Sequence, residues 1–382
     1  MTNLIKFLLV SIALSATAPC LAADPVVLDA SGEPLFAEYD EDAKAGENVS
    51  GAVCFENGSC ILVSDEMIAV QRIDLDLGGS SPDYRAGRTY GALFSEFCED
   101  IAKKKDCKEV DLEAIARDGS NVLVSGSMGN ASKSGNREKK RWFLAQFALD
   151  EQGKPKTGSL KVKSDRGLLK RLFSGHAAIE PYVGKPLQCA GLNVEGMAYL
   201  GGDLFFGLRS PTDRDKGAAF IVQSPKSIMD ASSKSDVEGT RLHRLSFKDE
   251  QGKPLSNTGI RALEPINGKL LIATGDAGVS APSEKRKQKI LDRCANVPNG
   301  AALANVTGPE PEVPRIWIWD PNAGDDPRLL ARLDGPYATE KLEGIAVLPT
   351  ASSDKSVDLL LTIDGQNAVP ALALLRNVLI VD

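Results

Sequence analysis

The chain has 382 residues, 42% of them hydrophobic and 25% charged, with a formal charge of −7 at pH 7. That balance is the one expected of a globular chain with an ample core, and the negative charge argues against a nucleic-acid partner held by phosphate neutralisation. Two basic runs, Arg137-Glu138-Lys139-Lys140-Arg141 and Lys285-Arg286-Lys287-Gln288-Lys289, are local exceptions; each reads as a solvated connection, with anion binding as the alternative.

At the N-terminus, Lys6 supplies a positive start, Phe7 to Ala18 an apolar centre and Cys20-Leu21-Ala22-Ala23 a small-residue exit. This pattern predicts an export leader over 1–22, cleaved after Ala22 or Ala23. The mature chain, 23–382, is expected to be one domain without a transmembrane anchor, monomeric, and periplasmic or secreted from a bacterium. Six cysteines then remain: Cys54, Cys60, Cys98, Cys107, Cys189 and Cys294. In an oxidising compartment they read as disulfides. Asn57-Gly58 between Cys54 and Cys60 is a hairpin signal that sets those two face to face. Cys98 and Cys107 bracket a short Lys-rich stretch, which leaves Cys189 with Cys294, although connectivity is not deducible from sequence alone.

Beyond Asn48 the chain is a succession of Val-, Ile-, Leu- and Phe-rich runs bounded by Gly, Asp, Asn, Ser and Pro, a strand grammar with almost no helical period. Val26-Leu28 and Leu35-Tyr39 are early strands that could complete the final sheet. One phrase recurs: Asp111-Leu112-Glu113-Ala114-Ile115-Ala116, Asn193-Val194-Glu195-Gly196-Met197-Ala198 and Lys341-Leu342-Glu343-Gly344-Ile345-Ala346, with weaker copies at Val49-Ser50-Gly51-Ala52-Val53 and Arg261-Ala262-Leu263-Glu264-Pro265. Unit starts fall about 60–80 residues apart, and each unit holds about four strands. The predicted fold is all-β, a β-propeller of four-stranded blades closed by the chain termini. Five units are recognisable, and Leu168-Val183 is a candidate degenerate sixth. An irregular β-sandwich is the alternative.

The Glu-Gly phrases, together with Phe206-Gly207-Leu208-Arg209-Ser210-Pro211 and Gly259-Ile260-Arg261-Ala262-Leu263-Glu264, resemble a bacterial exported family catalogued only as a domain of unknown function and expected to be a β-propeller. More distantly they are similar to phytase-like and gluconolactonase-like propellers. That likeness implies a divalent cation, usually calcium, held in the channel by acidic side chains of innermost strands. The matching positions here are Glu113, Glu195, Glu264 and Glu343. The chain departs from the pattern at Ser50 (for Glu), at Ala114 (for Gly) and at Pro265 after Glu264.

Asp65, Asp276 and Asp364, each closing the following strand, are expected on the same face. Carboxylates crowded together raise one another's pKa and require compensation. A Ca²⁺ ion, backbone N–H groups or internal arginines would supply it, and Arg209 and Arg261 belong to the same motifs. Structural ties between blades, a bound cation and catalysis by a carboxylate pair all remain open. No nucleophile elbow, phosphate-binding glycine loop or His-rich metal motif occurs. Two functions follow: a module binding a small-molecule or protein ligand at the channel mouth, or a Ca²⁺-dependent hydrolase of phosphate esters or lactones.

Overall fold

The computed structural model describes residues 21–23, 25–32, 34–37, 44–78, 81–91, 110–131, 134–231, 237, 239–298, 306, 312–349, 355–364 and 369–380. Each sequence unit folds into an antiparallel meander. Blade one is Val49–Cys54, Ser59–Ser64, Val70–Asp76 and Asp83–Tyr90; blade two is Leu112–Asp118, Asn121–Gly126, Leu144–Ala148 and Lys161–Lys163. Blade three is Asn193–Leu200, Asp203–Ser210, Ala218–Pro225 and Arg241–Ser246; blade four is Thr258–Ile266, Lys269–Asp276, Arg315–Trp319 and Arg328–Leu333. Blade five is Lys341–Val347, Ser356–Asp364 and Leu372–Leu379, with Val26–Val27 from the chain start added antiparallel as its fourth strand.

The first strand of each blade touches the first strand of the next, and that of blade five touches that of blade one, so the five innermost strands close a ring. The fold is a five-bladed β-propeller, closed by joining the two ends of the chain in one sheet. Such closure removes the innermost sheet edges from competition with other chains.

A propeller strand is covered on both faces by neighbouring blades, so its sequence runs apolar instead of alternating. Leu270, Leu271, Ile272 and Ala273 are all fully buried, as are Leu359, Leu360 and Leu361. Five apolar clusters fill the five gaps between blades, from the cluster joining Val53 and Ile61 to Leu112 and Phe147 round to the one joining Leu62 and Ile73 to Ala346 and Leu360. Each fully buried Leu or Phe contributes about 1.5–3 kcal/mol by leaving water.

Leu35 and Phe36 join the gap between blades five and one, but from a turn and not a strand; Tyr39 lies outside the described residues. Two further short strands lie parallel to outermost strands: Asp29–Ala30 beside Asp83–Tyr90, and Leu21–Ala23 beside Arg328–Leu333. The stretch Leu168-Val183 is not a sixth blade. It begins as the helix Arg166–Ser174, capped by Asp165, whose carboxylate accepts from the Gly167 and Leu168 amides. Leu168, Leu169, Leu172 and Phe173 recur at helical spacing and bury one face against blades two and three.

Cys54 pairs with Cys60 across the first hairpin, and Cys189 pairs with Cys294 across 105 residues of chain. Cys98 and Cys107 lie outside the described residues. Among the described residues no helix is long and apolar enough to cross a membrane.

Candidate functional site at the channel mouth

The innermost strand of every blade carries a β-bulge at the same place. The pairing skips Ser50 in blade one, Glu113 in blade two, Glu195 in blade three, Arg261 in blade four and Glu343 in blade five. A bulge leaves one residue outside the ladder and re-aims its side chain, here bringing the Glu and Arg side chains into contact across the ring. The residue after each bulge is small because neighbouring backbones meet there: a Cβ on Gly344 would lie 2.8 Å from the Gly51 Cα, and one on Gly196 3.0 Å from the Leu263 Cγ.

The structural equivalent of Glu195 in blade four is therefore Arg261, and the Glu264 expected there sits three residues further along. Glu264 is buried and accepts from the Val347 amide at 3.3 Å, away from the other acids. Burial pushes its carboxyl up to about 8, against the pull of Arg117 and the Val347 amide. Asp276 also turns away. Its carboxylate accepts from the Gly278 amide at 2.7 Å and from the Asn257 side chain, while its carbonyl accepts from Arg261.

Glu113, Glu195 and Glu343 each place a carboxylate oxygen within 4.8 Å of the others, and so do Asp65, Asp111 and Glu113. The two groups share Glu113 but differ in compensation. Glu195 receives Asn193 Nδ2 at 2.9 Å and Arg209 Nη1 at 2.8 Å on Oε1, and Arg261 Nη1 at 2.7 Å on Oε2. Arg209 reaches inward because a second bulge, on Asp203–Ser210, leaves it out of the ladder between Leu208 and Ser210. Burial alone would raise the Glu195 carboxyl; Arg209 and Arg261 outweigh it and hold it below the ordinary value.

Arg261 Nη1 also meets both oxygens of Glu343, at 3.0 and 3.2 Å. Burial outweighs that contact, and the Glu343 carboxyl is pushed up to about 7. The Arg261 guanidinium is buried too, yet its acidic neighbours keep it firmly protonated.

On the other side Asp111, held at a φ of 62°, pairs with Arg141 at 2.7 Å. The Asp65 amide donates to Ser50 Oγ at 2.9 Å, while its own Oδ1 is buried with no hydrogen-bond donor among the described residues. Burial, reinforced by Asp111 and Glu343, raises Asp65 well above the carboxylate range. Burial and then Asp111 and Glu195 do the same to Glu113. Asp364 stands at the rim, paired with Lys341.

These groups line a cavity of about 370 Å³ that also takes in Asn48, Gln188, Arg286 and Gly278 to Ser283. Towards the carboxylates and beyond, the channel narrows to a void of about 10 Å³ walled by Ala52, Ile115, Met197, Leu263 and Ile345. Two excursions form its roof: the turn Leu187–Cys189, which precedes blade three, and the segment from Gly278 through the helix Glu284–Arg293 within blade four. The Cys189–Cys294 disulfide joins them, and Ile290 packs on it.

Sequence reasoning missed Asp111 and Asn193, although both stand two residues before the bulged Glu in the recurring phrase. It also missed Asn48 and Gln188, which carry no local signal, and read Arg141 and Arg286 only as members of solvated basic runs.

Residues 143–279 match the family model described as "Protein of unknown function (DUF3616)". No curated protein matches the chain. Among solved structures, the chain is similar to the native arabinanase Arb43A of Bacillus subtilis at 8% identity, covering 87% of this chain and 96% of that one, with a TM-score of 0.38. An α-L-arabinanase of Cellvibrio cellulosa aligns at 9% identity over 86% of this chain and 91% of its own, with a TM-score of 0.40. The PQQ-bound aldose sugar dehydrogenase of Streptomyces coelicolor aligns at 13% identity, covering 94% and 99%, with a TM-score of 0.36.

Proposed function

We propose that the protein is an exported binding module whose channel mouth holds a divalent cation and, through it, a small polar ligand. The observation that carries this reading is an acid trio in which Arg141 pairs with Asp111. Asp65, Asp111 and Glu113 bring carboxylate oxygens within 4.8 Å of one another, and two of the three are raised well above the carboxylate range. A hard cation relieves that repulsion, and Ca²⁺, which takes six to eight oxygens, leaves positions open for waters or a ligand hydroxyl or carboxylate. A cavity of about 370 Å³ that narrows inward favours a small molecule over a protein segment. Export rests on the leader-like N-terminus, and the two disulfides fit an oxidising compartment.

Calorimetric titration of purified mature protein with Ca²⁺ after chelation tests the reading. One saturable site is expected, with a stabilisation of about 2.7 kcal/mol at a hundredfold excess over Kd. Glu113→Gln and Asp65→Asn should each abolish both the heat and the stabilisation. A chelated protein indifferent to Ca²⁺, Mg²⁺ and Mn²⁺ would refute it.

Glu343 supports a second reading. A carboxyl pushed up to about 7 beside the acid trio is tuned for general-base work at neutral pH. With a cation polarising a phosphate ester or lactone, the site would be a hydrolase. Turnover of such substrates that is lost in Glu343→Gln, with Ca²⁺ affinity retained, would establish it over simple binding.

A further inference from the structure

A second cavity, of about 270 Å³, lies between a loop of blade two and the helix Arg166–Ser174 and is lined by Arg137, Trp142, Arg166, Gly167, Lys170, Val183 and Gly184. Three of those residues are cations and none is an acid. Among the described residues Arg137, Arg166 and Lys170 form no ion pair. Two acids adjoin them in sequence, Glu138 after Arg137 and Asp165 before Arg166; neither lines the cavity, and Asp165 caps the helix through the Gly167 and Leu168 amides at 2.8 and 3.1 Å.

Arg166 lies over the Trp142 ring, its Cζ 5.2 Å from the centroid. Trp142 is itself buried, and its Nε1 finds no acceptor among the described residues. The walls are tied together by Asn130, whose side chain donates to the carbonyls of Gly135 at 3.4 Å and Gly184 at 3.0 Å. The basic run 137–141 is thereby divided between two sites: Arg141 goes to Asp111 in the channel mouth, and Arg137 to this cavity.

Cations gathered at one depression repel each other, and burial together with Arg137 lowers the pKa of Arg166. Natural surfaces usually break such groupings with an interspersed acid. Guanidinium groups match the oxygens of phosphate and sulfate, and a charge-assisted hydrogen bond is about twice as strong as a neutral one.

We infer that this cavity is an oxyanion site, built from Arg137, Arg166, Lys170 and the Trp142 indole, for a phosphate or sulfate group, free or as a terminal monoester. The site is separate from the channel acids, and its like-charged lining makes it unsuited to the cation expected there.

The test is calorimetric titration of the full mature protein, with Ca²⁺ absent, using inorganic phosphate, sulfate, glucose 6-phosphate and unmodified glucose. Phosphate and sulfate should bind with one-to-one stoichiometry and weaken as salt rises, while glucose gives no heat. Arg166→Gln and Lys170→Gln should each weaken binding about tenfold, the loss of one charge-assisted contact. Arg241→Gln, which removes an exposed arginine elsewhere, should leave it unchanged. If glucose 6-phosphate binds at least tenfold tighter than phosphate, the natural ligand is a monoester; equal affinity assigns the free anion. Should Arg166→Gln unfold, Lys170→Gln and Arg137→Gln carry the test on the exposed side of the same cavity. Wild-type heats unchanged in these variants, or displaced equally by chloride, would overturn the proposal.

Discussion

On the side of blades three to five, the channel mouth surrounds its carboxylates with arginine: Glu195 is held by Arg209 and Arg261, and Glu343 shares Arg261. Across the mouth, blades one and two bring Asp65 and Glu113 together, and Arg141 on that side is already engaged by Asp111. The innermost bulge places Glu113, Glu195, Arg261 and Glu343, whereas Asp65 and Asp111 come from outside it. Blade four contributes a cation where its neighbours contribute acids, and with Arg209 from the second bulge of blade three it gathers the arginines on one side of the ring. Arg261 ties blades three, four and five together; on the function proposed above, the other half is the one that binds.

The largest effect expected is at the centre of the arginine-rich half. Arg261→Met strips Glu343 of its guanidinium and leaves Glu195 with Arg209 alone, and losing one partner of a buried pair costs about 3–5 kcal/mol. Chemical denaturation at pH 7 should show that loss, and adding Glu195→Gln should recover part of it. A loss below about 1 kcal/mol would mean that water or protons compensate both halves alike, and the comparison would collapse.

How much of this was legible follows from the bulge. A Glu on the bulge demands a small residue next, because backbones meet at the axis, and that requirement wrote Glu-Gly into blades three and five clearly enough to reveal the repeat. In blade four Leu263-Glu264-Pro265 mimics the phrase. The true frame is set by the pairs Ile260 with Thr274 and Ala262 with Ala273, a register between strands that no local spacing records. The contact of Arg141 with Asp111 joins residues thirty positions apart, so it too depends on how the sheet folds back. The helix at Arg166–Ser174 was readable from its 3–4 spacing and was overlooked because the surrounding strand grammar dominated. The roof over the cavity left one trace only, the pairing of Cys189 with Cys294.

Glu264 offers a third way of burying a carboxyl, by keeping its proton, and it sharpens the contrast through pH. Its folded pKa of about 8 stands above the ordinary 4.5. The folded chain thus binds a proton that the unfolded chain has released between those values, and stability falls as pH rises through that window. Glu264→Gln removes the dependence. Its advantage over the wild type should be near zero at pH 4, grow with pH and level off above about 8, at roughly 5 kcal/mol. Thermal unfolding from pH 4 to 9 reads this directly, and parallel curves for the two proteins would show that Glu264 stays ionised in the fold.

The smallest effect is expected at the rim. Lys341 and Asp364 form an ion pair, with the Lys341 side chain 44% exposed, and such exposed pairs contribute only about 0–1 kcal/mol. Lys341→Met should therefore hardly move the denaturation midpoint, in contrast to Arg261→Met a few residues away in the ring. Its electrostatic reach is another matter. Lys341 helps to hold down the Glu343 carboxyl, and Asp364 helps to raise Asp65, so removing the lysine leaves both acids facing less positive charge. Carboxyl-carbon NMR titration should then show the Glu343 midpoint move upward, with Glu195, clamped by two arginines, unmoved. Were Glu195 to shift as far as Glu343, the arginines would not be shielding their half, and the division of the mouth would have to be redrawn.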